Sequence, residues 1–203
     1  MHESSNKIIR KALMDGIQLR QQCTETLSAP LQKAAALMLN CLKQGGKILA
    51  CGNGGSAADA QHFAGELVNR FETDRPGLAS IALTHDASVI TSIANDISFD
   101  QVFARQVEAL GNQGDLLLAI STSGNSANVI AAAAAAGTRN MTVIALTGKD
   151  GGNLGRHPCV SALLNIPHKS TPRIQEMHIT CLHILCSLID HDLINPSIPG
   201  GAA

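Results

Sequence analysis

Apolar positions in the first part of the chain recur at helical spacing. Ile8, Ile9, Leu13, Ile17 and Leu19 predict a helix over about residues 6–27. Pro30 stands where a second helix would begin, with Leu31, Ala34, Ala35, Leu37, Met38 and Leu42 as its stripe and Gly45-Gly46 as its stop. Beyond that point short continuous apolar runs alternate with helical stretches. The runs predict strands over residues 47–51, 78–83, 115–121, 141–146 and 162–166. Helical patterns fall at about 56–71, 87–95, 100–110 and 126–136, and a long closing helix is expected at about 171–193. Strands without a polar face are buried on both sides, which calls for a parallel sheet covered by helices above and below. The expected fold class is therefore α/β: a doubly wound five-stranded parallel sheet with extra N-terminal and C-terminal helices. It forms one domain over 1–194, followed by a Pro/Gly/Ala-rich tail at 195–203 expected to be flexible.

Charge and composition narrow the function. Lys and Arg number 15 against 16 Asp and Glu, so the net charge of −1 offers no strong field to a polyanion. Four Phe with no Trp or Tyr leave no stacking platform for single-stranded nucleic acid. No apolar run approaches the roughly 18–20 residues that span a bilayer, and residues 1–7 lack the apolar stretch of a signal peptide. The reading is cytoplasmic, with neither a nucleic-acid nor a membrane partner. The six cysteines contain no C-x-x-C and mostly sit in apolar segments, which suits reduced, buried thiols.

In an open parallel sheet, ligands collect beyond the C-terminal strand ends. Two strand-to-helix loops stand out there: Gly52-Asn53-Gly54-Gly55-Ser56 and Ser121-Thr122-Ser123-Gly124-Asn125-Ser126. Each offers backbone N–H groups at a helix N-terminus, where the dipole favours an anion, and the second adds four hydroxyls. Ordinary helix capping by Ser and Asn is the competing reading. Gly52, Gly54 and Ala57 also match the dinucleotide fingerprint G-x-G-x-x-A. That match fails on position, because Glu72 and Asp74 precede the second strand and Asp86 lies too far along.

His62 and Glu66 are four apart on the helix after the first loop, opposite an apolar stripe of Ala60, Phe63, Ala64, Leu67 and Phe71. They form either a solvated i,i+4 pair or a metal or acid/base pair near the loop. On the closing helix, Gln175 and His183 lie about 80° apart around the axis and roughly 12 Å along it. That separation is awkward for two ligands of one ion unless both reach inward or different subunits contribute. His178 competes with His183, and periodicity does not choose between them.

Taken in order, several motifs resemble the bacterial sedoheptulose 7-phosphate isomerase (phosphoheptose isomerase) family of the sugar isomerase (SIS) domain class. They are Cys51-Gly52-Asn53-Gly54-Gly55-Ser56, His62 with Glu66, Asn95-Asp96, Ser121-Thr122-Ser123-Gly124-Asn125-Ser126-Ala127-Asn128, Leu146-Thr147-Gly148-Lys149-Asp150-Gly151-Gly152 and Arg173-Ile174-Gln175-Glu176. The resemblance runs from about residue 8 to 190. It implies a cytoplasmic homotetramer that converts sedoheptulose 7-phosphate to D-glycero-D-manno-heptose 7-phosphate, the first step toward the activated heptoses of lipopolysaccharide. It implies that Asn53, Gly54, Gly55, Glu66, Asn95, Asp96, Ser121, Thr122, Ser123, Ser126 and Gln175 bind substrate. Glu66 and His183 would be catalytic, and His62, Glu66, Gln175 and His183 would hold one zinc ion (Zn2+) per subunit. The resemblance thus selects His183 over His178.

The chemistry suits these residue types. Moving a proton between adjacent carbons needs a carboxylate beside them, and imidazole can manage protons on the oxygens. An alternative from another class is a non-catalytic SIS-domain protein of the type that associates with the replication initiator DnaA. That class lacks the catalytic pair, whereas Glu66 and His183 are both present here. Pro172 favours a helix start and carries no ionisable group, so no catalytic role falls to it.

Overall fold

The computed structural model describes residues 2–194, with side chains from Glu3 to Leu193, so the expected tail lies outside the described residues. The chain begins with one continuous helix, α1 (His2–Lys43), rather than the two that the sequence suggests. Pro30 lies inside it. Proline there removes one backbone hydrogen bond, yet Leu27, Leu31 and Ala34 on either side are all buried in the core. Tertiary packing carries the helix across the break.

The remaining elements are β1 (Ile48–Gly52), α2 (Gly55–Val68), β2 (Ser80–Ala82), α3 (Ala87–Asp96), a 3-10 turn (Phe99–Gln101), α4 (Ala104–Leu110), β3 (Leu116–Ser121), α5 (Ala127–Thr138), β4 (Thr142–Gly148), α6 (Gly152–Gly155), β5 (Val160–Ile166) and α7 (Thr171–Ile194). The single helix expected over 100–110 is thus a 3-10 turn followed by α4. The α6 turn has no sequence signal: its four residues carry no apolar period, and it starts from Gly151 and Gly152 in the left-handed region (φ 86° and 59°).

All five strands are parallel, in the order β2-β1-β3-β4-β5. β1 and β3 are buried along their whole length. Ile48 and Ala50 face a core shared with α1, α2 and α7, whereas Leu49 and Cys51 face a second core beneath α4 and α5. This two-sided burial explains why the strands read as unbroken apolar runs. At their N-terminal ends, β1 and β3 are stapled by the buried Asp115 carboxylate. It accepts from Lys47 Nζ (2.5 Å), Lys47 N (2.9 Å) and Asn112 N (2.8 Å). Burial alone would raise its pKa, but these donors together hold it below the usual carboxylate value.

The six cysteines are free thiols. Burial pushes Cys41 up to about 11 and Cys51, Cys181 and Cys186 up to about 12, which keeps them protonated and inert. The strand order reverses direction between β1 and β3, the position at which a doubly wound sheet opens a crevice for ligand.

Candidate active site

Both glycine- and serine-rich loops flank that crevice. After β1 the chain turns sharply into α2: a Cβ on Gly52 would meet Ser56 at 2.7 Å, and Gly54 adopts φ 56°. Neither position accommodates a larger residue without strain. Gly54 caps α2 without any side-chain hydrogen bond, and Ser126, at the start of α5, makes no side-chain capping bond either. Side-chain capping therefore does not account for Ser126. Instead, Ser126 Oγ pairs with Ser121 Oγ (2.9 Å), which lies 3.4 Å from Ser123 Oγ, so three hydroxyls cluster at the end of β3.

This loop is braced from behind. Leu154 N donates to Gly124 O (2.8 Å) and Asn153 N to Asn125 Oδ1 (3.0 Å), while a Cβ on Gly124 would collide with the Gly151 carbonyl. The two loops are joined directly by Asn53 and Asn128, whose amides exchange hydrogen bonds of 2.8 and 2.9 Å. Two helix N-termini and a hydroxyl cluster are donors of the kind that can hold an anion without a cationic side chain.

Two helical turns along α2 from the first loop, α2 and α7 bring three ionisable side chains together. His62 Nε2 lies 2.9 Å from His183 Nε2 and 3.3 Å from Glu66 Oε1. The Phe71 ring stacks on His183 with centroids 5.5 Å apart, closing one side of the group. Phe71 itself stands beyond α2, which ends at Val68, and so does not belong to the helix stripe as the sequence suggested. Glu66 is withdrawn from solvent, with 24% of its side chain exposed.

His178 has a different fate. It is fully buried, with Nε2 against the Thr147 carbonyl (2.9 Å) and Nδ1 without a partner. Burial lowers its pKa to about 4, although the Thr147 hydrogen bond works the other way. The tertiary structure thus places His183 in the polar group and His178 in the core.

Gln175 packs against the first turn of α2, where a Cβ on Gly55 would collide with its amide. That position is two helical turns from His62, so the 12 Å separation along α7 is matched by a similar separation along α2. Gln175 faces the loop end of the site and His183 the carboxylate end. Asn95 and Asp96 end α3 on the surface, joined by an Asn95 Nδ2 to Asp96 Oδ1 hydrogen bond of 2.8 Å; neither side chain bonds to the two loops among the described residues.

Sequence reasoning gave Asn128 and Asp59 no role at the site and placed Phe71 only in an apolar stripe. Asn128 ends the Ser121–Asn128 motif, but its burial at 3% exposure was the missing signal. Asp59 lies one turn before His62 with Oδ2 buried and unpartnered, and burial pushes its carboxyl up to about 6 while His62 opposes the shift.

As they stand, no three or more His, Cys, Asp or Glu side chains among the described residues are set out as a metal cage. The donor types nevertheless fit zinc: two imidazole nitrogens and a carboxylate oxygen converge. Tetrahedral zinc with ordinary bond lengths separates two ligand nitrogens by about 3.3 Å. The observed 2.9 Å is a hydrogen-bond distance.

Comparison with known proteins supplies the family. Residues 14–148 match the SIS domain family. A phosphoheptose isomerase of Methylibium petroleiphilum is 54% identical over 187 residues, 92% of this chain and 94% of that protein. One from Thiobacillus denitrificans is 57% identical over 178 residues, 87% and 90% of the two chains. The solved phosphoheptose isomerase of Neisseria gonorrhoeae is 50% identical and superposes with a TM-score of 0.87, covering 92% of this chain and 98% of that one. With its sheet order, its two crevice loops and these relatives, the chain belongs to the SIS domain family and, within it, to the phosphoheptose isomerases.

Proposed function

We infer that this chain isomerises sedoheptulose 7-phosphate to D-glycero-D-manno-heptose 7-phosphate. The observation that carries this reading is the convergence of Glu66, His62 and His183 beside an anion site built from neutral donors. Relatives at 54–57% identity named phosphoheptose isomerase support the same activity, and the initiator-binding alternative is not favoured.

The phosphate binds Ser121, Thr122, Ser123 and Ser126 and the amides opening α5, with Asn53, Gly54 and Gly55 closing the other side of the crevice. Gripping that end fixes the C1–C2 unit against Glu66 and converts a bimolecular proton transfer into a positioned one. The Glu66 carboxylate takes a proton from C1, giving an enediolate, and returns it to C2 to form the aldose. His183 carries the accompanying proton from O1 to O2, a task suited to imidazole. Gln175 contacts the sugar from the loop end of α7. Asn95 and Asp96 bind substrate hydroxyls, and their exposed position at the end of α3 suits contact with a bound sugar contributed by a neighbouring subunit.

His62, Glu66, Gln175 and His183 hold one zinc ion per subunit. Bound there, the ion would supply Lewis-acid polarisation of a carbonyl oxygen and stabilisation of negative charge. Gln175 joins this set only if its side chain swings from Gly55 toward the histidines.

The working state is a homotetramer. Ile8, Ile9, Leu13, Met14 and Ile17 on the first turns of α1 are 46–68% exposed, an apolar surface that suits subunit packing. Among the described residues no helix is long and apolar enough to cross a membrane. We place the protein in the cytoplasm, supplying activated heptose to lipopolysaccharide synthesis, with residues 1–194 as a single domain.

Turnover of sedoheptulose 7-phosphate by the wild-type protein, Glu66→Gln and His183→Gln tests the reading. Each substitution should lower kcat by at least about a hundredfold. Wild-type-like turnover in either variant removes that residue from the mechanism, and no turnover in the wild type removes the activity.

A further inference from the structure

Between α2 and β2 the chain does not simply cross over. Phe71, Thr73 and Arg75 are turned inward while Glu72, Asp74 and Pro76 are exposed, the alternation of an extended segment lying on a surface. The surface is α7. Phe71 stacks on His183, and Thr73 Oγ1 donates to Asp190 Oδ2 at 3.1 Å. Arg75 Nε donates to Asp190 Oδ1 at 2.6 Å.

Arg75 does more than pair with Asp190. Its Nη2 donates to the Glu66 carbonyl (2.9 Å), and Nη1 donates to the carbonyls of Leu67 (2.9 Å) and Pro76 (3.1 Å). Glu66 and Leu67 lie in the last turn of α2, whose carbonyls lack intrahelical partners. A guanidinium there caps the helix and complements its negative end. Only 4% of the Arg75 side chain and 5% of the Asp190 side chain are exposed, so this is a buried ion pair with nearly every donor used.

The placement of its two ends is what connects the pair to the reaction. Asp190 follows His183 by seven residues, two turns on, and so projects from the same face of α7. One guanidinium therefore grips the backbone of Glu66 on α2 and the His183-bearing face of α7 at once. Resting on the function proposed above, we propose that Arg75 is a positioning residue. Held by Asp190, it fixes the Glu66 carboxylate and the His183 ring in register, with Phe71 on the same strap holding the ring's orientation. It does not touch the phosphate loops, so its loss should leave substrate binding almost intact.

Two variants separate positioning from mere stability. In Arg75→Lys the single ammonium can pair with Asp190 but cannot also fork to the Glu66 and Leu67 carbonyls. In the double variant Arg75→Met/Asp190→Leu both buried charges leave together, a change that is often neutral or stabilising. We expect kcat on sedoheptulose 7-phosphate to fall about tenfold to a hundredfold in each, the scale of a misplacement near 1 Å. KM should stay within about threefold, and the double variant should keep a wild-type-like thermal transition. Wild-type kcat in folded Arg75→Lys overturns the proposal, as does a KM rise that matches the kcat loss. If the double variant does not fold, Arg75→Lys decides alone.

Histidine-ring NMR of the wild type and Arg75→Lys supplies a readout that does not depend on turnover. The His62 and His183 resonances should shift while His178 stays put; unchanged spectra overturn the proposal. An inactive wild type with shifted rings would defeat the functional reading and leave the strap standing.

Discussion

The side-chain amides of Asn53 and Asn128 close a two-hydrogen-bond ring across the crevice between β1 and β3, at 2.8 and 2.9 Å. Asn53 belongs to the first loop and Asn128 to the first turn of α5, so the ring sets the spacing between the two helix N-termini at the crevice. Neither side chain needs a charge to do this. Each amide contributes one donor and one acceptor to the ring and keeps a further N–H for ligand.

Asn128→Asp breaks that symmetry. The Asn53 donor keeps its acceptor, but Asn53 Oδ1 then faces a carboxylate oxygen, and a negative charge enters the anion site. A buried mismatch of this kind costs about 1–3 kcal/mol. KM for sedoheptulose 7-phosphate should rise about tenfold or more, with a smaller change in kcat. An unchanged KM in folded protein would show that the ring does not shape the phosphate site.

His178 predicts an acid sensitivity of folding. Burial lowers its pKa to about 4 in the folded protein from the ordinary histidine value of 6.5, so between those values the unfolded chain binds the extra proton. The resulting stabilisation is present above the unfolded pKa and is lost as pH falls toward the folded one, in total about 3 kcal/mol. Urea unfolding at pH 7 and pH 5 measures it. The loss of stability between the two should be about 2 kcal/mol greater in the wild type than in His178→Gln, which keeps a donor for the Thr147 carbonyl. Equal losses would show that His178 titrates normally.

Pro30 predicts the opposite kind of change. Replacing it with Ala restores a backbone donor in the middle of α1 and removes the ring's clash with the preceding turn. The gain is partly offset by the greater freedom of the unfolded chain. A net stabilisation of about 1–2 kcal/mol is expected, raising Tm by several degrees in calorimetry. A lower Tm would show that α1 needs the proline's geometry.

Zinc content provides a fourth check. Protein dialysed against zinc and then desalted should carry one equivalent per subunit, and His62→Ala should lose most of it. Retention of a full equivalent by His62→Ala would place the metal elsewhere.

Much of the fold was legible along the chain because strands buried on both faces leave an unmistakable apolar run. The segment over 115–121 and its counterpart after Lys47 are of this kind, and glycines at 45, 46, 52, 54 and 55 mark the ends of the latter. The α1 helix was misread for the converse reason. A proline's local cost is visible in sequence, whereas the packing of Leu27 and Leu31 that outweighs it is not.

The site divides in the same way. Spacing alone determined that His62 and Glu66 share a face of α2 and that two glycine- and serine-rich loops follow strands, since both are consequences of short-range geometry. Periodicity left His183 and His178 open because it fixes directions around an axis but not what lies there; the family resemblance pointed to His183, and the tertiary structure showed the contact with His62 and the burial of His178. It alone also joined Asn53 to Asn128 and Arg75 to Asp190, contacts between residues 75 and 115 positions apart that no local pattern encodes.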